Sequence, residues 1–436
     1  MFQPNVYKIN IESKKIDLTD LSNLIQSNNI NLPLISLGFH YFINRTTSTF
    51  SSIITKLETK NELYYVVNPF EYKILNYEDS LDILTEKYLN KKIDSSSFYE
   101  LWEIFYFFNL INNDELIFTV IANNTIGIID SIINFKQKLN LINKKDKIFN
   151  VSINNIDTDT TTFNKSLLGI YNIQYPKLIK NYKGDFNITD IKTISQYKKE
   201  FTKLKTLANL IIGNCKYKWN NILYKEQESY ILILGQIIAV LKTQKKDGNF
   251  IIKIYDSYTL LTLKLIYILT SCYKSSYIYK PFLSRPTDSD KYIICKNFIF
   301  DSESDNKLLN NNINILESIL NNIKSDLYIY DMFPKLILPN DFISQFKFIN
   351  IKLANSRQII MNDIITYIKE NNYFGDKYHI YKNQQINATK WWLLSFFPPS
   401  NNLYLKNKED LEKLLNHTID KHHAELNRFV VPLISN

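Results

Sequence analysis

Asp247-Gly248-Asn249-Phe250-Ile251-Ile252-Lys253-Ile254-Tyr255-Asp256 is a turn followed by an apolar run that carries a single lysine. Bounded by Asp-Gly and rich in Ile and Phe, it reads as a buried strand. A lysine inside such a strand is rare unless it has a purpose. A second stretch, Ser284-Arg285-Pro286-Thr287-Asp288-Ser289-Asp290-Lys291-Tyr292, leads into a strand over 292–300 and puts a carboxylate at its mouth. Lys253 reads as a reactive lysine at the sheet's crevice or as an edge lysine snorkelling to water. Asp290 reads as its acid partner or as a solvated turn acid. Ser284 and Arg285 read as phosphate holders or as an ordinary Ser-Arg-Pro turn.

Outward from this pair, a strand–helix rhythm runs in both directions. The run Ser95-Ser96-Ser97 offers a cap for a helix through Phe98–Asn109, with apolar residues at 98, 101, 102, 105 and 108. Asp114–Ala122 reads as a strand and Ile126–Phe135 as the following helix; Ile148–Ile153 is a weaker strand. Leu207–Ile212, Glu226–Leu241, Phe250–Tyr255, Leu260–Leu269, Ser276–Tyr279 and 292–300 continue the alternation. This predicts an α/β fold, a Rossmann-like sheet that is mostly parallel with a terminal antiparallel strand paired to 276–279 at an edge. Residues 155–200 are polar and read as a loop-rich insertion. The N-terminal residues 1–95 form a region apart, with strand-like runs at Leu34–Ile43 and Glu62–Val67 and a partly helical Tyr77–Lys92. Residues 96–300 are the sheet domain. Residues 301–436 are a helical C-terminal region with helices over 307–326, 355–369 and 407–428.

The chain has 436 residues, 45% of them hydrophobic, and only 8 Gly and 11 Pro, enough to build full cores and unlike a disordered chain. Its three cysteines make neither a disulfide framework nor a zinc knot. The apolar run Tyr230–Leu241 is too short to span a bilayer, so a soluble intracellular protein is expected. The net charge of +9 points to a polyanionic partner or to a lysine-biased genome. Lys198, Lys199, Lys203, Lys205, Lys216 and Lys218 interleave with Tyr197, Tyr217 and Trp219, a pattern suited to phosphates and stacked bases. Trp391-Trp392 reads as core packing before base stacking. His417, His422 and His423 lack the i, i+4 spacing of a helical metal site, and no metal is expected.

The stretch 226–299 resembles the FtsJ-type RNA 2'-O-methyltransferases, in particular the group encoded by large nucleocytoplasmic DNA viruses and related to cap-specific mRNA methyltransferases. The likeness runs through Glu226-Gln227-Glu228, Leu234-Gly235-Gln236-Ile237-Ile238, Gly248-Asn249-Phe250-Ile251-Ile252-Lys253, Lys280-Pro281, Ser284-Arg285-Pro286, Asp288-Ser289-Asp290-Lys291-Tyr292 and Cys295-Lys296. A weaker likeness covers 36–71, and the whole covers about 36–71 and 96–300. The resemblance implies a Lys-Asp-Lys-Glu tetrad and S-adenosylmethionine as methyl donor. The second lysine falls on Lys253, and the glutamate on Asp290, one methylene shorter. The first lysine falls on Glu100 within Phe98-Tyr99-Glu100-Leu101-Trp102-Glu103-Ile104, a reversal of charge. The aspartate falls at the end of strand 207–212, where the chain reads Gly213-Asn214-Cys215, and Gly213 takes the position. No acid lies between Phe201 and Lys225. The cofactor loop falls on Ala122-Asn123-Asn124-Thr125-Ile126-Gly127, in which Gly127 remains while the acid, the proline and one glycine do not.

These substitutions predict a methyltransferase fold without methyl transfer and with weak or no S-adenosylmethionine binding. RNA contacts are expected from Lys198, Lys199, Lys203, Lys216 and Arg285. Lys253 is expected beside Glu100 and Asp290, with Glu100 paired to it. The resemblance implies capped mRNA or a viral protein as partner, no membrane, and a place in the host cytoplasm (the viral factory) or the virion. The alternative is an active cap or RNA 2'-O-methyltransferase with a relocated acid, for which Glu100, Glu103 or Glu228 must approach Lys253.

Overall fold

A computed structural model describes the chain except residues 1, 13, 31–36, 55–62, 75, 76, 91, 94, 113, 114, 154–160, 183–185, 217, 218, 302, 303, 371, 372, 435 and 436. Ten strands and twelve α-helices are described. In chain order they are β1 (Asn5–Ile9), β2 (Ile25–Ser27), α1 (Leu37–Ile54), α2 (Leu81–Leu89), α3 (Ser96–Phe108), β3 (Ile117–Ala122), α4 (Ile126–Lys138), β4 (Lys147–Ser152), α5 (Thr161–Gln174), β5 (Ile179–Asn181) and α6 (Ile191–Lys203). Then follow β6 (Ala208–Asn214), α7 (Lys225–Thr243), β7 (Gln244–Ile254), α8 (Leu260–Ser271), β8 (Tyr273–Lys280), β9 (Lys291–Phe298), α9 (Asn306–Asn322), β10 (Tyr328–Asp331), α10 (Asn340–Glu370), α11 (Asp376–Phe396) and α12 (Asn401–Ile434).

Eight strands make one sheet in the order β1-β8-β9-β7-β6-β3-β4-β5. Strands β3, β4, β5, β6 and β7 pair in parallel, and β9 runs antiparallel to both β7 and β8. The sheet is thus mostly parallel with an antiparallel edge strand, as read from the alternation. The β8–β9 pair, however, is not the edge, because β1 adds antiparallel outside β8. Five residues beside the chain start give too little alternation to announce a strand. The outer side of β1 is covered by side chains: Gln345 accepts from Asn10 N at 3.2 Å and donates to Lys8 O at 2.7 Å. His422 Nδ1 lies 2.7 Å from Val6 O, and its ring stacks on Tyr7. Unpaired edge groups that would template another chain are satisfied in this way.

The core has two layers. Phe250, Ile252 and Ile254 point to the face covered by α6–α10, while Ile251 points to the face covered by α3, α4, α11 and α12. The strand period of two therefore puts Lys253 on the α3 face. Helix α3 is buried all round, from Phe98 to Phe108, and Ser95 starts it by accepting from Ser97 N.

Several expectations fail locally. The run Leu34–Ile43 is not a strand; its described part belongs to helix α1, whose more buried positions Ile43, Thr47, Phe50 and Ile53 show the helical period only past Ile43. Leu63–Val67 is a 3-10 helix rather than a strand, closed by Asn68 N on Tyr65 O. Residues 155–200 include α5 and α6, so they are not mainly loop. Helix α6 was hidden because only Ile194, Tyr197 and Phe201 are buried, a stripe too narrow to stand out. Helix α10 starts at Asn340, well before 355, and α11 lies between the helices expected over 355–369 and 407–428. The divisions drawn at 95 and 300 are crossed by the packing: β1 pairs with β8, and α11 and α12 contact α3.

Candidate functional site

Strand register sets up a row of side chains on the α3 face. Lys253 of β7 is paired with Tyr292 of β9, and Tyr292 with Tyr279 of β8. Helix α3 lays Glu100 and Glu103, one turn apart, over this row. Lys253 Nζ lies 3.3 Å from Glu100 Oε2 and 3.3 Å from Asp290 Oδ2. Tyr292 donates to Glu100 Oε2 at 2.5 Å, and its ring centroid is 5.4 Å from Lys253 Nζ. The Glu100 side chain is only 4% exposed and that of Lys253 12%, so these charges interact with little screening.

Electrostatics follow from this enclosure. Burial works to lower the Lys253 pKa, but Glu100, Tyr292 and Asp290 outweigh it and hold the ammonium well above the ordinary lysine value. Burial likewise opposes the Asp290 carboxylate, yet Lys253, Lys225 and Lys280 hold its pKa below the usual range. Lys280 donates to Asp288 O and Asp290 O, both at 2.8 Å, and to Ser284 Oγ at 3.2 Å, tying down the link that carries Arg285 and Asp290. Its enclosed ammonium is pushed down to about 8, chiefly by desolvation. Glu103 grips the same link from the other side. It accepts from Tyr279 Oη (2.7 Å), Phe282 N (2.8 Å), Leu283 N (3.2 Å) and Trp392 Nε1 (2.9 Å). Burial pushes its carboxyl up to about 7 against these four donors. Trp392 is therefore core and a ligand of Glu103, while Trp391 packs among Phe2, Phe70 and Phe282.

Gly213 needs correction as the aspartate position. A Cβ built on it would lie 2.2 Å from Gln236 Oε1 on α7, the opposite face from Lys253. Asn214 is the residue on the α3 face, where its Nδ2 donates to Ser97 Oγ at 3.4 Å. Since Gly213 registers with Ile252, Asn214 is the neighbour of Lys253 along the same face. An amide there matches the shape of an aspartate and lacks its charge. The burial of Leu210 and Ile212 on the α3 face carries the signal, because the strand period of two puts Asn214 with them.

The β3–α4 turn is built for packing. Ala122 is buried, Asn124 Oδ1 accepts from Ile126 N at 3.2 Å, and a Cβ on Gly127 would stand 2.5 Å from Ser95 Cβ. The glycine therefore lets α4 approach the start of α3. Asn123 Oδ1 accepts from Lys216 N at 2.6 Å, bridging the carboxyl ends of β3 and β6 where the strand order reverses. That crevice is the usual ligand position of an open α/β sheet. Here Asn123, a carboxamide whose Oδ1 is engaged with backbone, follows Ala122 where the resemblance implies an acid.

The expected RNA contacts do not form one patch. Arg285, exposed, lies over the Tyr65 ring at 4.2 Å, and Lys216 is exposed just after β6, both at the carboxyl end. Lys198 lines a hollow with Ile117 and Asn209, at the amino ends of β3 and β6, and Lys199 and Lys203 line another beside β4 and β5. Tyr217 and Lys218 lie outside the described residues. No helix among the described residues is long and apolar enough to cross a membrane.

The sequence from 143 to 298 matches the profile of the FtsJ-like methyltransferases. The chain is 44% identical to the cap-specific mRNA (nucleoside-2'-O-)-methyltransferase 1 of Dictyostelium discoideum over 20% of its own length and 13% of that protein. It is 30% identical to the Caenorhabditis elegans enzyme of the same name over 33% of this chain and 16% of that one. With an uncharacterized protein of Acanthamoeba polyphaga mimivirus it shares 24% identity over 70% of this chain and 66% of that one. The matched stretches thus span a small part of the two methyltransferases and about two thirds of the viral protein. The chain carries an FtsJ-like methyltransferase domain.

Proposed function

We propose that this chain is an RNA-binding FtsJ-like protein that does not transfer methyl groups. One observation carries the reading: the buried Lys253 ammonium is held between two carboxylates, Glu100 and Asp290, with a neutral Asn214 as its neighbour. Activation of a ribose hydroxyl by lysine needs an amine that can give up its proton near neutrality. Two acids at 3.3 Å hold the proton in place. The resemblance implies two lysines facing two acids, a neutral set; here one lysine faces two acids, a net −1. A transition state built around preorganised charge is sensitive to such a change. The cap-methyltransferase relatives support capped mRNA as the RNA, and the mimivirus relative supports a role in viral mRNA processing or in the virion.

The test is transfer of labelled methyl from S-adenosylmethionine to cap-0 RNA, with calorimetry of cofactor binding on the same protein. No transfer and no cofactor heat are expected. The double substitution Glu100→Lys/Asn214→Asp is expected to leave transfer absent, because the β3–α4 turn is unchanged.

A second reading is favoured by the convergence of Glu100 on Lys253. The acid has moved from strand β6 to helix α3, and Lys253 still touches two carboxylates. In that reading the chain is an active 2'-O-methyltransferase using S-adenosylmethionine. Methyl transfer abolished by Lys253→Met would establish it and remove the first.

A further inference from the structure

Two hollows flank helix α6, one at the amino ends of β3 and β6 and the other against the outer strands β4 and β5. One, of about 830 Å³, has Lys198, Lys205, Lys242, Lys245 and Lys246 in its wall against a single acid, Glu115. The other, of about 610 Å³, has Lys180, Lys199 and Lys203 against Glu200, together with the half-buried ring of Tyr182. The seven residues of β6 separate the larger hollow from Lys216 by roughly 23 Å at about 3.3 Å per residue.

Three of these lysines are already neutralised. Lys242 pairs with Glu317, Lys246 with Asp301 at 2.9 Å, and Lys203 with Glu200 at 2.7 Å. Among the described residues no carboxylate lies within ion-pair distance of Lys180, Lys198, Lys199, Lys205 or Lys245. Helix ends account for part of this surplus. The C-termini of α6 and α7 both face the larger hollow, and each presents roughly half a negative charge. Together they offset about one lysine of the five. The Lys180 ammonium stands 5.9 Å from the Phe149 ring centroid, so the smaller hollow has an aromatic floor as well as cations.

We propose that α6 and its two hollows form an exosite for single-stranded RNA, gripping phosphates through Lys198, Lys199, Lys205 and Lys245 and stacking a base on Tyr182. The inference rests on the RNA-binding reading above and gives it a place remote from the Lys253 face. Single strands fit because unpaired bases are free to reach an aromatic ring while the backbone tracks the lysines.

The experiment uses the full chain and a labelled 20-nucleotide oligouridine, read by anisotropy over a salt series. Lys198→Gln/Lys199→Gln/Lys205→Gln/Lys245→Gln is expected to weaken binding at least tenfold at low salt. It should also flatten the log–log salt slope by roughly 0.7 for each phosphate that is no longer held. Tyr182→Ala should cost at least about fivefold. The pair Lys216→Gln/Arg285→Gln is the control at the other end of the sheet. If the parent binds the oligonucleotide, the quadruple variant matches it and the control pair loses affinity, the exosite is wrong while the RNA-binding reading stands. If the parent does not bind, both fall. Displacement of the RNA by inorganic polyphosphate at equal charge, with Tyr182→Ala silent, would overturn the single-strand assignment in favour of a plain polyanion surface.

Discussion

The two ends of the sheet use lysine in opposite ways. At the carboxyl end Lys253, Lys280 and Lys291 are enclosed and each is spoken for, by acids or by backbone carbonyls. At the amino end Lys198, Lys205 and Lys245 stand in water, with no carboxylate at ion-pair distance among the described residues. A buried cation is a structural commitment, since its removal strands the partner's charge in a poor dielectric. An exposed one contributes little to stability and is free for a ligand. Equal residue types in one chain thus predict unequal consequences.

The largest effect is expected at Lys253. Replacement by methionine leaves Glu100 and Asp290 without their cation and should cost about 3–5 kcal/mol in denaturant unfolding. A loss below about 1 kcal/mol would place Lys253 with the surface lysines and dissolve the contrast.

Next comes a pH effect from Glu103, with a like contribution from Glu71, whose carboxyl burial also pushes up to about 7. A raised carboxyl pKa means that the folded chain binds more protons than the unfolded one between about 4.5 and 7. Stability should therefore fall as pH rises through that window, by up to about 3 kcal/mol for each group. Glu103→Gln should flatten part of this slope when the denaturation midpoint is followed from pH 5 to pH 8. A slope unchanged by the substitution would mean that the four donors keep Glu103 ionised throughout.

The third sharpens the reading of the β3–α4 turn. Gly127→Ala drives a Cβ against Ser95 and should cost about 1–3 kcal/mol, with Ser95→Gly restoring most of it in the double variant. A glycine kept for close approach of a ligand would show no such rescue. The smallest effect belongs to the amino end: Lys198→Ala should change stability by less than about 0.5 kcal/mol, and thermal unfolding of that variant is the check.

Much of this was legible in the chain. The run Phe250–Ile254 marked a buried strand with a lysine in it, and Ser95-Ser96-Ser97 with the apolar spacing after it placed α3 to within a residue or two, while the structure picked Ser95 as the cap. Local patterns suffice there because a strand buried on both faces and a helix buried all round leave little freedom in composition. Helix α6 and strand β1 escaped notice because one buries three side chains and the other is five residues long. Leu37–Ile54 misled because Leu37, Phe39, Tyr41 and Ile43 recur at every second position, and only the following turns reveal the helical period.

The candidate site divides along the same line. By itself the sequence determined which groups exist: one lysine in a strand, Asp290 before the next strand, Glu100 where a cation is implied, and no acid between Phe201 and Lys225. Tertiary structure alone decided which of them meet. Register put Tyr292 beside Lys253, and the pleat of β6 turned Asn214 toward α3 and Gly213 away. The separation of Lys198 from Lys216, neighbours in composition, was likewise a product of the strand between them. Contacts between residues more than a hundred positions apart depend on strand order and face, and neither is written in any local stretch of sequence.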